Sequence, residues 1–442
     1  MAVVTSRRPA PIIRHLRALA AVSLLLVGSA ILAAIQSPVP ADWKRWSPRD
    51  EIAPEFSLAA GKGHDGRDAL QITSRSAFEF GAWRTTLSGV KPGQAYRFEA
   101  WYRCEHVANE QRSVSARLQW LEASGRPLKA LVRPPEFPSA RVHTDGWSHI
   151  DYVTWAPEEA AAVDIQLSLG FAAAGSVTWD RISLTEIDTP PRRPVRVMTV
   201  FHRPPHAGSP EKSVAAFLDI VRNAAPEQKP DVVCLPEGVT VVGTKHRYVE
   251  VGEPVPGPTT EQIGRLAREI HAYVVAGLYE RVGPVVYNTA VLLDREGRLA
   301  GRYRKTHLPR EEWEAGLTPG DEYPVFQTDF GRIGILVCWD VQFPEPWSAL
   351  GRKGAEMILL PAWGGNETLL LARAMENHVY VVSSSYDMKT CIIAPDGKIR
   401  AEATKEKPAV TAAIDLEEKI YQPWIGDMRA RVWKERRDDL PR

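Results

Sequence analysis

Three side chains far apart in the chain have the types that acyl-transfer chemistry needs: Cys338, Glu237 and Lys305. Cys338 follows Ile333–Val337, a short apolar run rich in β-branched residues that reads as a buried strand. It precedes Pro344-Glu345, which reads as the first turn of a helix, where a proline's missing N–H is not needed. A cysteine at such a sharp turn presents its sulfur, with backbone N–H groups pointing at whatever it attacks. Donors of this kind contribute about 2.7–4 kcal/mol each to a developing oxyanion. Glu237 directly follows the apolar strand in Asp231-Val232-Val233-Cys234-Leu235-Pro236-Glu237, at the strand's carboxyl end, where open α/β sheets form ligand sites. Lys305 ends a hairpin strand within Arg302–Pro309. Taken singly, each has a plainer explanation: a core cysteine, a solvated loop carboxylate, a solvated basic run.

The elements that must position these groups lie between 195 and 430. Val195–Phe201, Asp231–Leu235, Tyr273–Leu278, Val286–Leu293, Leu299–Tyr303, Glu356–Leu360, Val379–Ser383, Cys391–Ala394, Ile399–Glu402 and Val410–Ile414 read as strands. Lys212–Ala224, Thr260–Ala272 and Thr368–His378 carry apolar residues at helical spacing. Asp294–Gly297 and Pro395–Gly397 read as hairpin turns. Strands alternating with helices, with hairpins added, predict a mixed α/β sheet packed by helices.

Upstream the pattern is different. Residues 42–188 alternate apolar and polar in short runs such as Tyr96–Trp101, Ala116–Trp120 and Val163–Leu167, which predicts an all-β sandwich. The proline-rich stretch 189–194 reads as a semi-rigid linker, and 431–442 as a tail. Within 1–41, Arg7, Arg8, Arg14 and Arg17 precede an uncharged run from Ala18 to Ala41. Its apolar part, about 18 residues, sits at the lower limit for a spanning helix and slightly beyond a signal-peptide core. It is read either as a removed signal or as a single N-terminal hydrophobic helix anchoring the chain in a membrane. Either reading puts the folded part outside the cytoplasm.

A chain of 442 residues requires two or three folding units. A net charge of +1 gives no argument for a nucleic-acid partner. Four cysteines, Cys104, Cys234, Cys338 and Cys391, are no disulfide framework, and no His/Cys/Asp grouping has metal-ligand spacing. No cofactor is implied.

Together the three residues are far more specific than any one of them. Leu235-Pro236-Glu237, Tyr303–Leu308 and Val337-Cys338-Trp339-Asp340 with Phe343-Pro344-Glu345 resemble the carbon–nitrogen hydrolase family, or nitrilase superfamily, whose mark is Glu, Lys and Cys in that order. Tyr287–Ala290, Thr318–Gly320, Gly354–Glu356 with Leu360-Pro361, and Arg373–Asn377 extend the match. The resemblance implies a four-layer α-β-β-α sandwich, often paired as a homodimer, acting on a small amide-like substrate. It implies Cys338 as nucleophile, Glu237 as general base, and Lys305 with a backbone N–H near Trp339 as oxyanion site. A second glutamate after the lysine is common in the family; Glu311, Glu312 and Glu314 are candidates, with Glu314 chosen by its offset before Pro319-Gly320 and Glu312 second. Trp363 is a candidate pocket wall or a core residue. Two departures stand out: Phe201–Pro205 replaces a small polar stretch, and Gln342 stands where the family frequently has arginine, which removes an expected contact to a substrate carboxylate.

Residues 42–188 resemble a jelly-roll, galactose-binding-like carbohydrate-binding module in Trp83, Val90–Tyr96, Trp147, Trp155-Ala156-Pro157 and Trp179-Asp180. That resemblance implies a glycan partner, with Trp83, Trp120 or Trp147 either stacking on a sugar or packed in the core. Three rival functions remain: an N-acyltransferase using the same thioester, a Cys–His hydrolase using His307 or His378, and a glycan-binding protein with an inactive second unit.

Overall fold

The computed structural model describes residues 42–129, 133–138, 142–188, 192–422, 426–429 and 435–437. The hydrophobic segment at 18–41, from which a signal or anchor is expected, lies outside them. Among the described residues no helix is long and apolar enough to cross a membrane.

Ten strands build the first unit: β1 (Lys44–Trp46), β2 (Glu55–Ala59), β3 (Ala69–Ser74), β4 (Phe80–Ser88), β5 (Ala95–Glu105), β6 (Val114–Leu121), β7 (Val142–Thr144), β8 (Trp147–Trp155), β9 (Ala162–Gly170) and β10 (Gly175–Ile187), with the short helix α1 (Glu110–Ser113) before β6. They form two antiparallel sheets, β1-β4-β9-β6 and β2-β3-β10-β5-β8-β7. Alternate residues, among them Phe98, Leu118, Trp120, Ile165, Leu167, Val177 and Trp179, close a single core. Trp83 and Trp120 belong to that core. Trp147 is buried against His64 and Arg103. Burial of all three leaves sugar stacking by them without an open ring.

The second unit contains two six-stranded sheets. One has the order β15-β14-β13-β12-β11-β22, where β11 is Pro194–Val200, β12 Val232–Cys234, β13 Tyr273–Val282, β14 Val285–Leu293, β15 Leu299–Arg304 and β22 Ala409–Asp415. The other has the order β16-β17-β18-β19-β20-β21, from Val325–Gln327, Arg332–Ile335, Met357–Pro361, Tyr380–Ser384, Thr390–Ile393 and Ile399–Ala403. Each has a parallel centre and antiparallel flanks. Inward side chains such as Val195, Val197, Val275, Ile358 and Val381 fill the space between the sheets. Outward ones, Met198, Val200, Val233 and Val274, meet Phe217, Val221, Ile263 and Leu266 of helices α2 (Pro210–Gln228) and α3 (Pro258–Ile270). After α4 (Arg310–Glu314), helices α5 (Pro344–Arg352) and α6 (Glu367–Asn377) cover the second sheet with Trp347, Leu350, Leu370 and Ala374. The unit therefore has four layers, helix–sheet–sheet–helix.

The strand before the cysteine is shorter than its apolar run suggests. β17 stops at Ile335, and Cys338–Gln342 forms a 3-10 turn before α5. Asp340 is the reason: its Oδ2 accepts from the Val337 N–H at 2.9 Å, drawing the chain into the turn.

The two units are joined by a buried carboxylate. Glu136, on a loop of the sandwich, accepts from Trp120, Arg133, Tyr152 and Thr154 of its own unit and from Tyr421, in a short hairpin strand after β22. Lys419 completes an ion pair with it at 3.7 Å. Arg193, within the expected linker, is bound to Glu356 and Glu417.

Candidate active site

Glu237 lies three residues beyond β12, Lys305 directly after β15 and Cys338 in the turn after β17, so strand ends bring them into one place. All three are buried. The Lys305 ammonium donates to Glu237 Oε1 at 3.0 Å and to Glu312 Oε1 at 2.9 Å. Asn288 Nδ2 donates to the same two oxygens, each at 2.6 Å. Glu237 Oε2 and Glu312 Oε2 are buried without a partner among the described residues. The Cys338 thiol donates to the Gly364 carbonyl at 3.5 Å.

The cysteine sits at φ +45°, a left-handed conformation that a residue with a side chain adopts only where its surroundings enforce it. Asp340 supplies the enforcement. Besides holding Val337, it accepts from Tyr303 at 2.8 Å and from the His307 N–H at 3.2 Å, while its Oδ1 lies 2.9 Å from His307 Nδ1. The cysteine turn and the lysine loop are thereby tied to each other. Gly277 does the same for Glu237: a Cβ there would stand 2.7 Å from the Glu237 Cα, so only glycine allows β13 so close. Tyr386 clamps the Glu237 carbonyl at 2.8 Å.

Burial, helped by the negative charge of Glu237, pushes the Cys338 thiol up to about 12 against the opposing pull of Lys305. A thiol so raised is neutral at ordinary pH. Burial works against charge on Lys305, but the carboxylates of Glu237 and Glu312 outweigh it and hold the ammonium well above the ordinary lysine value. Two carboxylates share this one cation. Burial and the nearby Glu237 charge raise the Glu312 carboxyl to about 7, against Lys305.

Of the three glutamates considered after the lysine, Glu312 reaches it; Glu314, the one chosen from its offset, does not, and Glu311 is exposed. Glu314 ends α4 at the surface, accepting from Arg310 at 2.6 Å. Residues two apart on a helix point in different directions, so one helix cannot bring both to the ammonium. Trp339 is half-exposed and Trp363 partly buried, its ring edge-on to Tyr386. The histidine alternatives stand elsewhere: His307 is held by Asp340 and stacked on Phe343, and His378 lines a cavity between the two units. Asn288 and Asp340 lie within the motifs quoted from the sequence but were given no role there, and Gly277 was not singled out. Asn288 could have been, because a polar Asn288-Thr289 pair interrupting the apolar strand Val285–Leu293 must find buried partners. No grouping of metal-binding side chains occurs among the described residues.

A cavity of ≈ 1410 Å³ opens beside the cluster. Cys338, Glu237 and Lys305 do not line it; it borders them through Trp363 and Tyr386.

A family model described as carbon-nitrogen hydrolase matches residues 200–420. Omega-amidase NIT2 of Xenopus tropicalis is 29% identical over 253 residues, covering 50% of this chain and 88% of that protein. A nitrilase of Pyrococcus abyssi (strain GE5 / Orsay) is 30% identical over 256 residues, covering 53% of this chain and 95% of that protein. Among solved structures, Saccharomyces cerevisiae Nit3, a member of branch 10 of the nitrilase superfamily, is 26% identical with a TM-score of 0.46, covering 50% of this chain and 90% of that one. The matched half coincides with the four-layer unit, and the chain belongs to the carbon-nitrogen hydrolase family, as a C–N-cleaving enzyme of the amidase and nitrilase kind.

Proposed function

We propose that the enzyme hydrolyses non-peptide C–N bonds of amide or N-carbamoyl type through a thioester on Cys338. The observation that carries this reading is the meeting of a neutral buried thiol, a partner-lacking carboxylate oxygen on Glu237 and a charged Lys305 in one cluster. Glu237 takes the thiol proton as sulfur attacks the carbonyl carbon. The oxygen, now negative, is held by the Lys305 ammonium and the backbone N–H of Trp339. Glu237 returns the proton to the leaving nitrogen, the C–N bond breaks, and ammonia or an amine departs. Water then attacks the thioester, giving its proton to Glu237; the carboxylic product leaves as the C–S bond breaks and the sulfur regains a proton. Glu312 positions Lys305 rather than touching substrate. Trp363 walls the approach.

Transfer to an amine in place of water would use the same groups, and no observation favours it. Export or anchoring through residues 1–41, homodimer formation and glycan binding by the sandwich complete the proposal, carried by sequence pattern and family resemblance. The test is ammonia release across amides, nitriles and N-carbamoyl compounds. Cys338→Ala is expected to reduce release to the blank, a loss on the order of 10⁴-fold or more, with unchanged folding by circular dichroism. Release equal to wild type would remove the thioester.

A further inference from the structure

We propose that the end of the sandwich formed by loops 75–79, 106–109 and 171–174 docks on a lipid bilayer, with Phe78 and Phe171 entering its interface. This rests on the reading of residues 1–41 as a membrane anchor and goes further by naming the surface that meets the lipid. The three loops join β3 to β4, β5 to α1 and β9 to β10. They are neighbours: Ser74 pairs with Gly175, Glu105 with Ser176 and Phe80 with Gly170, and the Phe171 N–H donates to the Glu79 carbonyl at 3.1 Å. Loop residues at a surface are ordinarily polar. Here the exposed positions are Ala77, Phe78, Ala108, Phe171, Ala173 and Ala174, with Arg75 and His106 the polar exceptions. Phe78 keeps 63% of its surface exposed and Phe171 51%. The connection 47–54 beside them, tied to the Phe80 carbonyl by the Ser47 hydroxyl at 2.9 Å, exposes Arg49, Asp50 and Glu51. An apolar patch with a polar rim is the mark of a surface that something covers.

Phe171 is held there against its backbone preference. Its φ of +59° is left-handed, a conformation that bulky side chains avoid. Its ring stacks on Phe80 at 5.7 Å, with the Arg112 guanidinium 5.5 Å from the ring centre. Strain kept at an exposed aromatic points to use rather than to packing. The opposite end of the sandwich, where Leu121 pairs with Ala162, is different. Its turns 122–126 and 157–159 carry Glu122, Ser124, Arg126, Glu158 and Glu159. From that end β10 finishes at Ile187 and the chain passes to the catalytic unit. The chain itself selects lipid as the occupant of the apolar end. The apolar run ends at Ile35 and the described residues begin at Asp42. From Ile35 to Asp42 a chain spans at most about 25 Å. β1 then runs along β4 toward the patch, Lys44 opposite Arg84 and Trp46 opposite Ala82, with the Trp46 ring edge-on to Phe80. Strand rise puts Asp42 about 20 Å from Phe80. The end of an anchor and the phenylalanine patch can therefore meet one plane. Two contacts hold a protein on a bilayer better than one, and they fix its orientation as well.

The experiment mixes the full chain with vesicles of phosphatidylcholine and phosphatidylglycerol and reads flotation and amide hydrogen exchange. The wild type is expected to float, with exchange in 75–79, 106–109 and 171–174 slowed about tenfold or more by vesicles and exchange in turn 122–126 unchanged. Phe78→Ser combined with Phe171→Asn, asparagine being at home in a left-handed position, is expected to lose that slowing while keeping the wild-type circular dichroism. Leu58→Ser, at an exposed apolar residue elsewhere on the sandwich, is expected to keep it. Flotation of the wild type with unprotected loops, or slowing that survives the double variant, overturns this inference and leaves the anchor standing. Slowing that appears without vesicles and grows with protein concentration assigns the patch to a second copy of the chain and overturns it too. No flotation overturns both the inference and the anchor.

Discussion

Two buried carboxylate clusters in this molecule are built to opposite specifications. Glu136, at the junction of the units, is saturated: every oxygen has partners, and Arg133 and Lys419 overcome the effect of burial to hold its carboxyl below the ordinary range. Glu237 and Glu312 share one cation and one amide, and each keeps an oxygen without a partner. Full satisfaction makes a charge structural, because any change of its state costs hydrogen bonds. Incomplete satisfaction leaves a group able to accept a proton, at the expense of local stability.

The comparison can be broken most severely at the shared cation. Lys305→Met should lower kcat by roughly 10²–10³-fold or more, and should also destabilise the fold by about 3–5 kcal/mol, because two carboxylates are left facing each other. Unfolding in urea alongside ammonia release reads both. Glu136→Gln should cost about 2–4 kcal/mol by leaving the partly buried Arg133 and Lys419 without their carboxylate, yet leave activity per folded molecule unchanged. A fall in activity matching that of Lys305→Met would show the junction is not merely structural.

The clusters should also differ in the sign of their pH dependence. Glu312 is raised from 4.5 to about 7, so the folded state binds more protons than the unfolded one between these values. Its contribution to stability is fully present below about 4.5 and is lost as pH rises through about 7. Glu136 is lowered, so its contribution is present above the ordinary carboxylate value and is lost as the medium turns acid. Urea midpoints followed over pH should show the first slope vanish in Glu312→Gln while the acid limb persists. The smallest effect is expected at Glu314, paired at the surface: Glu314→Ala should change stability by about 0.5 kcal/mol or less and leave turnover alone.

Much of the second unit was legible because its strands are continuous apolar runs and its helices carry regular apolar faces. Val285–Leu293 and Pro258–Ile270 emerge within a residue or two of where pattern places them. The short elements were not. α4, of five residues, has too little sequence for a period to register, and it is the element that decides between Glu312 and Glu314. The sharp turn at Cys338 was read from the sequence, but the strand's end was placed too late because the apolar residues run on through Val337, whereas β17 stops at Ile335 and Asp340 binds the Val337 N–H.

By itself the sequence determined which side chains are of the types acyl transfer needs and that each stands at a strand end, since residue type and strand periodicity are local properties. The tertiary structure alone decided which glutamate supports the lysine, that Asn288 bridges the two carboxylates, and that Asp340 ties the cysteine turn to the lysine loop. Those are matters of distance between segments remote in the chain, and burial sets their strength, because desolvation turns a shared proton or an unpaired oxygen into function.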